Sequence, residues 1–398
     1  MIGFNMKNIR RKQKGSILAL VVTIMVMLLL TGLGLLRLGY HSRIMAARSS
    51  FEILAIEAAD AGFVQAKLLM DKKLREELVW NNSDLPFATD VSLANSDATY
   101  SYDVTGNASG FTVTSTGTAS NATRTVHGLL RVKSLWTGLS VRNTLDIKSG
   151  TTLMSDPADQ YFAIRSNSIA DASMVLKANT SIPGDIIIGP GGTIEDAVDM
   201  KATTEVSGMM FAAAEELYYP PVVLPSNLAA ATETAYTYVP GVALTGNHKF
   251  TSMDVPIGGI QEVSSNCDIY VVGGTVLQNS AELVVTAGST LELYIGGNFE
   301  GKNDSELQND TGDAENLKIF GLDTCTSIII KNSGDFYGAI YAPNADLVLH
   351  NGGSVQGSFV GDNFEMKNSG TFIYDCDLGT VGIDDMAASF SVFRWWEE

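Results

Sequence analysis

The chain has 398 residues, with 44 acidic and 26 basic side chains and a net charge of −18. No acid precedes Glu52, so the remainder is more acidic than the total implies. That balance argues against nucleic acid or anionic lipid as a partner of the outer part. Only 18% of residues are charged and 38 are glycine, a composition common in exported β-rich proteins with many turns.

Lys7, Arg10, Arg11, Lys12 and Lys14 precede an uncharged run from Ser16 to Leu36. As a helix, these residues extend about 31 Å, enough to cross a bilayer core. Its Leu, Ile and Val residues favour insertion by about 4–8 kcal/mol. The basic flank keeps the N-terminus in the cytoplasm and sends the rest outward. A cleaved secretory signal is a poorer fit, because the run is long and Arg37 follows it without a small-residue cut site. Helix-compatible sequence continues without proline from Tyr40 to about Leu78. Ile56, Ala59, Phe63, Ala66, Met70 and Leu74 form one apolar stripe. Lys67/Asp71 heads a series of (i, i+4) ion pairs on another face. A single helix over 16–79 is therefore expected, starting in lipid and ending outside it.

Asn81 to Ala98 is polar, contains Pro86 and reads as a loop. Thr99–Val104, Gly110–Ser115 and Thr123–Val132 read as three short strands with glycine turns. They are expected to pack on the helix, because so small a sheet is marginal alone. Beyond Trp136, short apolar runs alternate with Gly/Asn turns. Such turns recur at nearly even spacing at Asn332, Asn351 and Asn368. Aligned on the asparagine, Ile328, Leu347 and Phe364 coincide, as do Ile330, Leu349 and Met366. Lys331, His350 and Lys367 coincide too, as do Phe336, Val355 and Phe372. Leu145–Gly150 is a looser copy. A short repeat with small-residue corners predicts a β-solenoid; an ordinary β-sandwich is the alternative. Leu217–Pro225, rich in proline and aromatics, reads as an extended strap or linker. Alternation at the C-terminus predicts a last strand that caps the solenoid.

GSILALVV at residues 15–22, AIEAADAGFVQAKLL at 55–69 and SGFTVTSTGTASNATRTVHGLLRVK at 109–133 resemble PilX-like minor pilins of the type IV family. The resemblance covers about the first third of the chain. It implies cleavage between Gly15 and Ser16 by a prepilin peptidase, methylation of the new terminus, and packing of the helix among other pilins with the pilus assembly machinery. The family's usual glutamate, near the start of the mature chain, falls on Leu20, which cannot neutralise a neighbour's terminal amine. That departure favours a tip or low-copy position over the shaft. Residues 319–375 also resemble a C-terminal domain of uncharacterised role on PilX-like proteins.

These readings give an α+β chain. It comprises a leader (1–15), a transmembrane and amphipathic helix (16–79), a small antiparallel β-sheet head (80–135) and a large all-β solenoid (136–398). The expected role is structural, a minor pilin-like component displaying the solenoid outside the cell, held in the inner membrane through residues 16–36 with no nucleic acid partner and no cofactor. The alternatives are an unprocessed single-pass surface protein whose solenoid binds polysaccharide or protein, and a membrane-anchored carbohydrate-active enzyme using Asp335 or Asp346. No nucleophile elbow, phosphate loop or HExxH motif appears. Cys267, Cys325 and Cys376 allow one disulfide with a thiol left over. Asn309, Thr311, Asp313 and Glu315 form a weak calcium candidate around Gly312, lacking the full loop pattern.

Overall fold

Ser16–Glu76 forms one helix of 61 residues, α1. The computed structural model describes residues 16–76, 80–107, 110–158, 160–351, 353–367, 370–380, 382, 385 and 388–397. The expected leader, with Gly15, lies outside the described residues, as do Gly352, Asn368 and Ser369 of the predicted corners. Among the described residues, none of an 18-residue window in the first half of α1, with a mean hydropathy of 2.7, is buried. The second half buries Ala55, Ala58, Ala59, Phe63, Ala66, Met70 and Leu74; of the predicted stripe Ile56 is only half-buried, and Ala55 and Ala58 join it.

That stripe rests on an antiparallel sheet. Strands β1 (Phe87–Ser92), β2 (Thr99–Asn107), β3 (Gly110–Ala119) and β4 (Ala122–Ser134) follow in order. β1 occupies the stretch read as a loop. It is an edge strand with an irregular register and little burial, so it lacks the apolar alternation that marks β3, where every second residue is buried. Phe63, Met70, Tyr102, Val104, Phe111, Val113, Val126 and Leu130 form the shared core. Small residues let helix and sheet approach. A Cβ on Gly117 of β3 would sit 2.0 Å from the Ala55 carbonyl oxygen and 2.4 Å from the Ala59 nitrogen.

The final strand, Ala388–Glu397, corrects the sequence reading. It does not cap the second domain; it pairs antiparallel with β4 and becomes the fifth strand of the small sheet. Phe390 is buried there. The alternation of Phe390 and Val392 marks a strand but does not specify its partner.

Among the described residues, the region between β4 and that strand holds a 23-stranded sheet whose neighbours pair in parallel. The offset between matched strands varies, being short from Leu347 to Phe364 and longer from Leu145 to Met174. The predicted alignment is a spatial register: Ile328 pairs with Leu347, Ile330 with Leu349 and Lys331 with His350. Phe336, Val355 and Phe372 also line up. The looser copy at Leu145–Ile147 pairs directly with Phe364–Met366.

The chain order within this sheet is not sequential. Residues 138–212 add strands in one direction. Residues 213–243 then cross over, and residues 244–375 return, so that Phe359, Phe364 and Phe372 meet Leu139, Leu145 and Leu153. One interior apolar cluster runs through both parts. The chain enters and leaves the parallel domain at neighbouring points. Ser134 Oγ donates to the Leu378 carbonyl at 2.8 Å and accepts from the Trp136 N–H at 2.9 Å. Tyr374 Oη donates to the Trp136 carbonyl at 2.7 Å.

Candidate functional site

The most distinctive surface is the free half of α1. Ile17, Leu18, Leu20, Val21, Val22 and the apolar residues up to Leu38 are exposed. Polar groups on this stretch are satisfied inside the helix. Thr23 Oγ1 donates to the Ala19 carbonyl at 2.8 Å, and Thr31 Oγ1 to the Met27 carbonyl at 2.9 Å. A hydroxyl so bonded enters lipid at lower cost than a bare one. Leu20 is 61% exposed and offers no carboxylate. The stem is compatible with membrane anchoring, by length and composition. Farther along, Ile53, Val64 and Leu68 are exposed on the helix face turned from the sheet.

The strap lies as an extended segment along the parallel domain. Asn167 grips its backbone twice: Oδ1 accepts from the Leu217 N–H at 3.1 Å and Nδ2 donates to the Leu217 carbonyl at 2.7 Å. Arg165 donates to the Glu215 carbonyl at 3.1 Å and Arg142 to the Tyr219 carbonyl at 3.4 Å. Tyr219 is buried with Trp136, Tyr294, Phe320 and Tyr341, and Tyr341 Oη donates to the Pro220 carbonyl at 2.8 Å. Composition locates the strap in the sequence but not the residues that hold it.

The calcium candidate is a self-satisfied turn. Asn309 is buried; its Nδ2 donates to the carbonyls of Asp313 and Tyr337, and its Oδ1 accepts from Thr311. Asp313 Oδ1 caps the following short helix by accepting the Glu315 N–H at 2.9 Å. These oxygens are committed to the loop, and the described residues gather no group of three or more His, Cys, Asp or Glu suited to a metal. Cys267, Cys325 and Cys376 are free thiols, the first two buried and the third half-buried. Burial pushes the Cys267 thiol up to about 12, with Asp268 adding to it, and the Cys325 thiol up to about 11. Such thiols are poor nucleophiles.

The carboxylates proposed for an enzyme also serve corners. Asp335 Oδ1 accepts the Ser354 N–H at 2.7 Å, and Asp346 Oδ1 accepts from Asn363 Nδ2 at 2.6 Å. A groove of about 390 Å³ beside Asp346 also contacts Asp146 and Glu365, both of which face Lys148. His41 is exposed on α1 and His127 lies on β4, stacked on Trp396 with ring centroids 5.3 Å apart.

A buried ionic group lies where the chain leaves the parallel domain. Lys318 Nζ reaches Asp385 Oδ2 at 2.9 Å, with both side chains largely buried. Lys318 pairs in register with Glu292, whose carboxylate accepts from Tyr294 Oη at 2.8 Å. Burial raises the Glu292 pKa, against the opposing pull of Tyr294 and Lys318.

A family model described as a domain of unknown function, DUF7305, matches residues 230–381, well under half of the chain. No curated protein matches. Among solved structures, the competence-associated pilin ComZ from Thermus thermophilus is similar at 13% identity, over 87% of this chain and 97% of that chain, with a TM-score of 0.31. At that score the likeness carries no argument about this chain; the matched family model covers the returning part of the parallel domain and names no activity.

Proposed function

We propose that the protein is a pilin-like structural subunit: a low-copy or tip component of a type IV pilus-like assembly that displays a β-solenoid outside the cell. The observation that carries this reading is the continuity of α1. One unbroken helix runs from a bare apolar stem into a buried stripe beneath an antiparallel sheet. A simple membrane anchor has no need to continue rigidly into the head. A subunit that must leave the bilayer and join a helical bundle gains from it. The basic residues before Ser16, with glycine at the junction, supply a prepilin peptidase with its site.

The parallel register that runs through residues 138–212 and 244–375 supports the solenoid reading. Leu20 and the large inserted domain both favour the tip or a sparse position. A subunit without a neighbour above it has no amine to neutralise, and an unpaired charge in lipid costs several kcal/mol. The role is structural rather than catalytic, with other pilins and the assembly machinery as partners.

Gly15→Val in the native host tests the reading. Loss of leader removal together with loss of the protein from sheared surface filaments supports it. Normal processing and unchanged assembly overturn it. Recovery of the wild-type chain with Met1 still attached favours a permanent single-pass anchor instead.

A further inference from the structure

The parallel register lines up cations that the sequence scatters. Lys331 pairs with His350. The residues just before His350, Lys367, Lys148, Lys177 and Lys201 pair in succession: Leu349 with Met366, Met366 with Ile147, Ile147 with Leu176, and Leu176 with Met200. Backbone bonds extend this register to the lysines, from the Lys367 N–H to the Leu349 carbonyl and from the Lys177 N–H to the Ile147 carbonyl. On the other side Glu300 pairs with Ile329, which sets Lys302 beside Lys331. Seven consecutive strands thus carry Lys or His at one position, over about 29 Å at the usual strand spacing. The domain from 138 to 375 has ten Lys and Arg residues, and six stand in this column. Of the others, Arg142 and Arg165 hold the strap and Lys318 pairs with Asp385.

A parallel line of carboxylates runs two residues earlier along the strands. Lys367 meets Glu365 at 2.6 Å, Lys148 lies between Glu365 and Asp146, Lys177 meets Asp146 at 3.8 Å, and Lys201 meets Asp199 at 2.6 Å. Lys302 pairs with Glu300. These lysine side chains remain 33–51% exposed. Half-exposed pairs of this kind are worth about 0–1 kcal/mol, so a ligand anion replaces them at little cost. The acid line is broken singly at Val175 and, over two adjacent strands, at Ile329 and Val348. There the cations Lys331 and Lys367 flank His350, whose own protonation is disfavoured by burial and then by these two lysines.

We propose that this column is a binding track for an extended, carboxylate-bearing polysaccharide lying across the strands. The lysine line receives the sugar carboxylates, the acid line accepts sugar hydroxyls, and the interval at Ile329 and Val348 meets the C–H faces of the rings. A nucleic acid suits the track poorly, because its phosphates bring no donors to the acid line and are repelled by it. With the chain at −18, a polyanion is attracted only where it lies along the cations. The proposal requires the register of the parallel domain and not the pilus reading, so it stands if Gly15 proves irrelevant.

The test is equilibrium binding of polygalacturonate to the full chain in detergent at low ionic strength. Saturable binding is expected, weakening with salt. Lys331→Gln combined with Lys367→Gln is expected to lower affinity by about tenfold, from the loss of two cation contacts. Lys249→Gln, outside the column, is expected to leave it unchanged, and matched melting curves confirm that the variants fold. Absence of saturable binding, or undiminished binding by the double variant, overturns the proposal. Equal binding of single-stranded DNA of matched length overturns the assignment to polysaccharide.

Discussion

The backbone N–H of Phe390 donates to Asp71 Oδ1 at 2.9 Å, joining the last strand to α1 across 319 positions of sequence. The same carboxylate pairs with Lys67 at 2.9 Å. The chain thus returns from the parallel domain and fastens its end to both the helix and β4, so the small sheet is completed only after everything between has been made.

Deleting residues 388–397 is therefore expected to unfold the head while leaving the parallel domain folded. Phe390, buried against Phe111 and Trp80 with ring centroids 5.4 and 5.7 Å apart, is lost with the strand. Phe390→Ala alone is expected to cost the head about 3–5 kcal/mol. Asp71→Ala is expected to cost about 1–3 kcal/mol, since it strands a partly buried N–H. Loss of the head's melting transition in the truncated chain, with the transition of the parallel domain retained, checks this. Unchanged melting of the truncated chain contradicts it.

The stem is legible from composition alone, because a charge-free run long enough to cross lipid needs no tertiary context. Strands β2 to β4 are legible from alternation. β1 is not, because an edge strand buries too little to leave a pattern. The pairing of the last strand is hidden by the 256 positions between Ser389 and Lys133, its partner on β4. The lysine column is visible only where spacing is nearly even, at Lys331, His350 and Lys367. Its continuation from Lys367 to Lys148 runs backwards in sequence across the 213–243 crossover, where no periodicity can reveal it. At Asn309–Glu315 residue type alone is ambiguous, because a turn that caps its own short helix uses the same residue types as a cation loop.

Gly117→Ala is expected to destabilise the head by about 1–3 kcal/mol. The added methyl would meet the Ala55 oxygen, the Ala59 nitrogen and, at 2.9 Å, the Ala58 Cβ. All three belong to α1, so the helix itself must shift. Gly334→Ala, which meets nothing within 4 Å, is the control and is expected to melt as wild type. Equal melting of the two variants contradicts the close approach.

Asn167→Ala is expected to free the strap with little effect on global melting. Two hydrogen bonds to Leu217 are lost, about 1–2 kcal/mol of local stability. Asn167→Asp keeps the acceptor for the Leu217 N–H and loses the donor, so it is expected to fall between. Limited proteolysis within residues 213–225 measures this: cleavage fastest for Ala, slower for Asp and slowest for wild type. An unchanged cleavage rate in the alanine variant shows that Tyr219 and its aromatic neighbours hold the strap unaided.

Glu292 sets a pH dependence whose sign follows from its surroundings. Burial raises its pKa above the ordinary 4.5, with Asp268 and Asp385 adding to the rise; Tyr294 and Lys318 oppose it without cancelling it. The folded chain therefore holds this proton more tightly than the unfolded chain does. Between the two pKa values the folded state binds more protons, so stability falls as pH climbs through that window and stays lower above it. Glu292→Gln retains an acceptor for Tyr294 Oη and removes the charge. Its melting temperature is expected to exceed that of wild type at pH 7, and the gap is expected to close as pH falls toward 4.5. A gap that is reversed at pH 7, with the variant melting lower, means that the attraction of Lys318 outweighs the burial of the carboxylate.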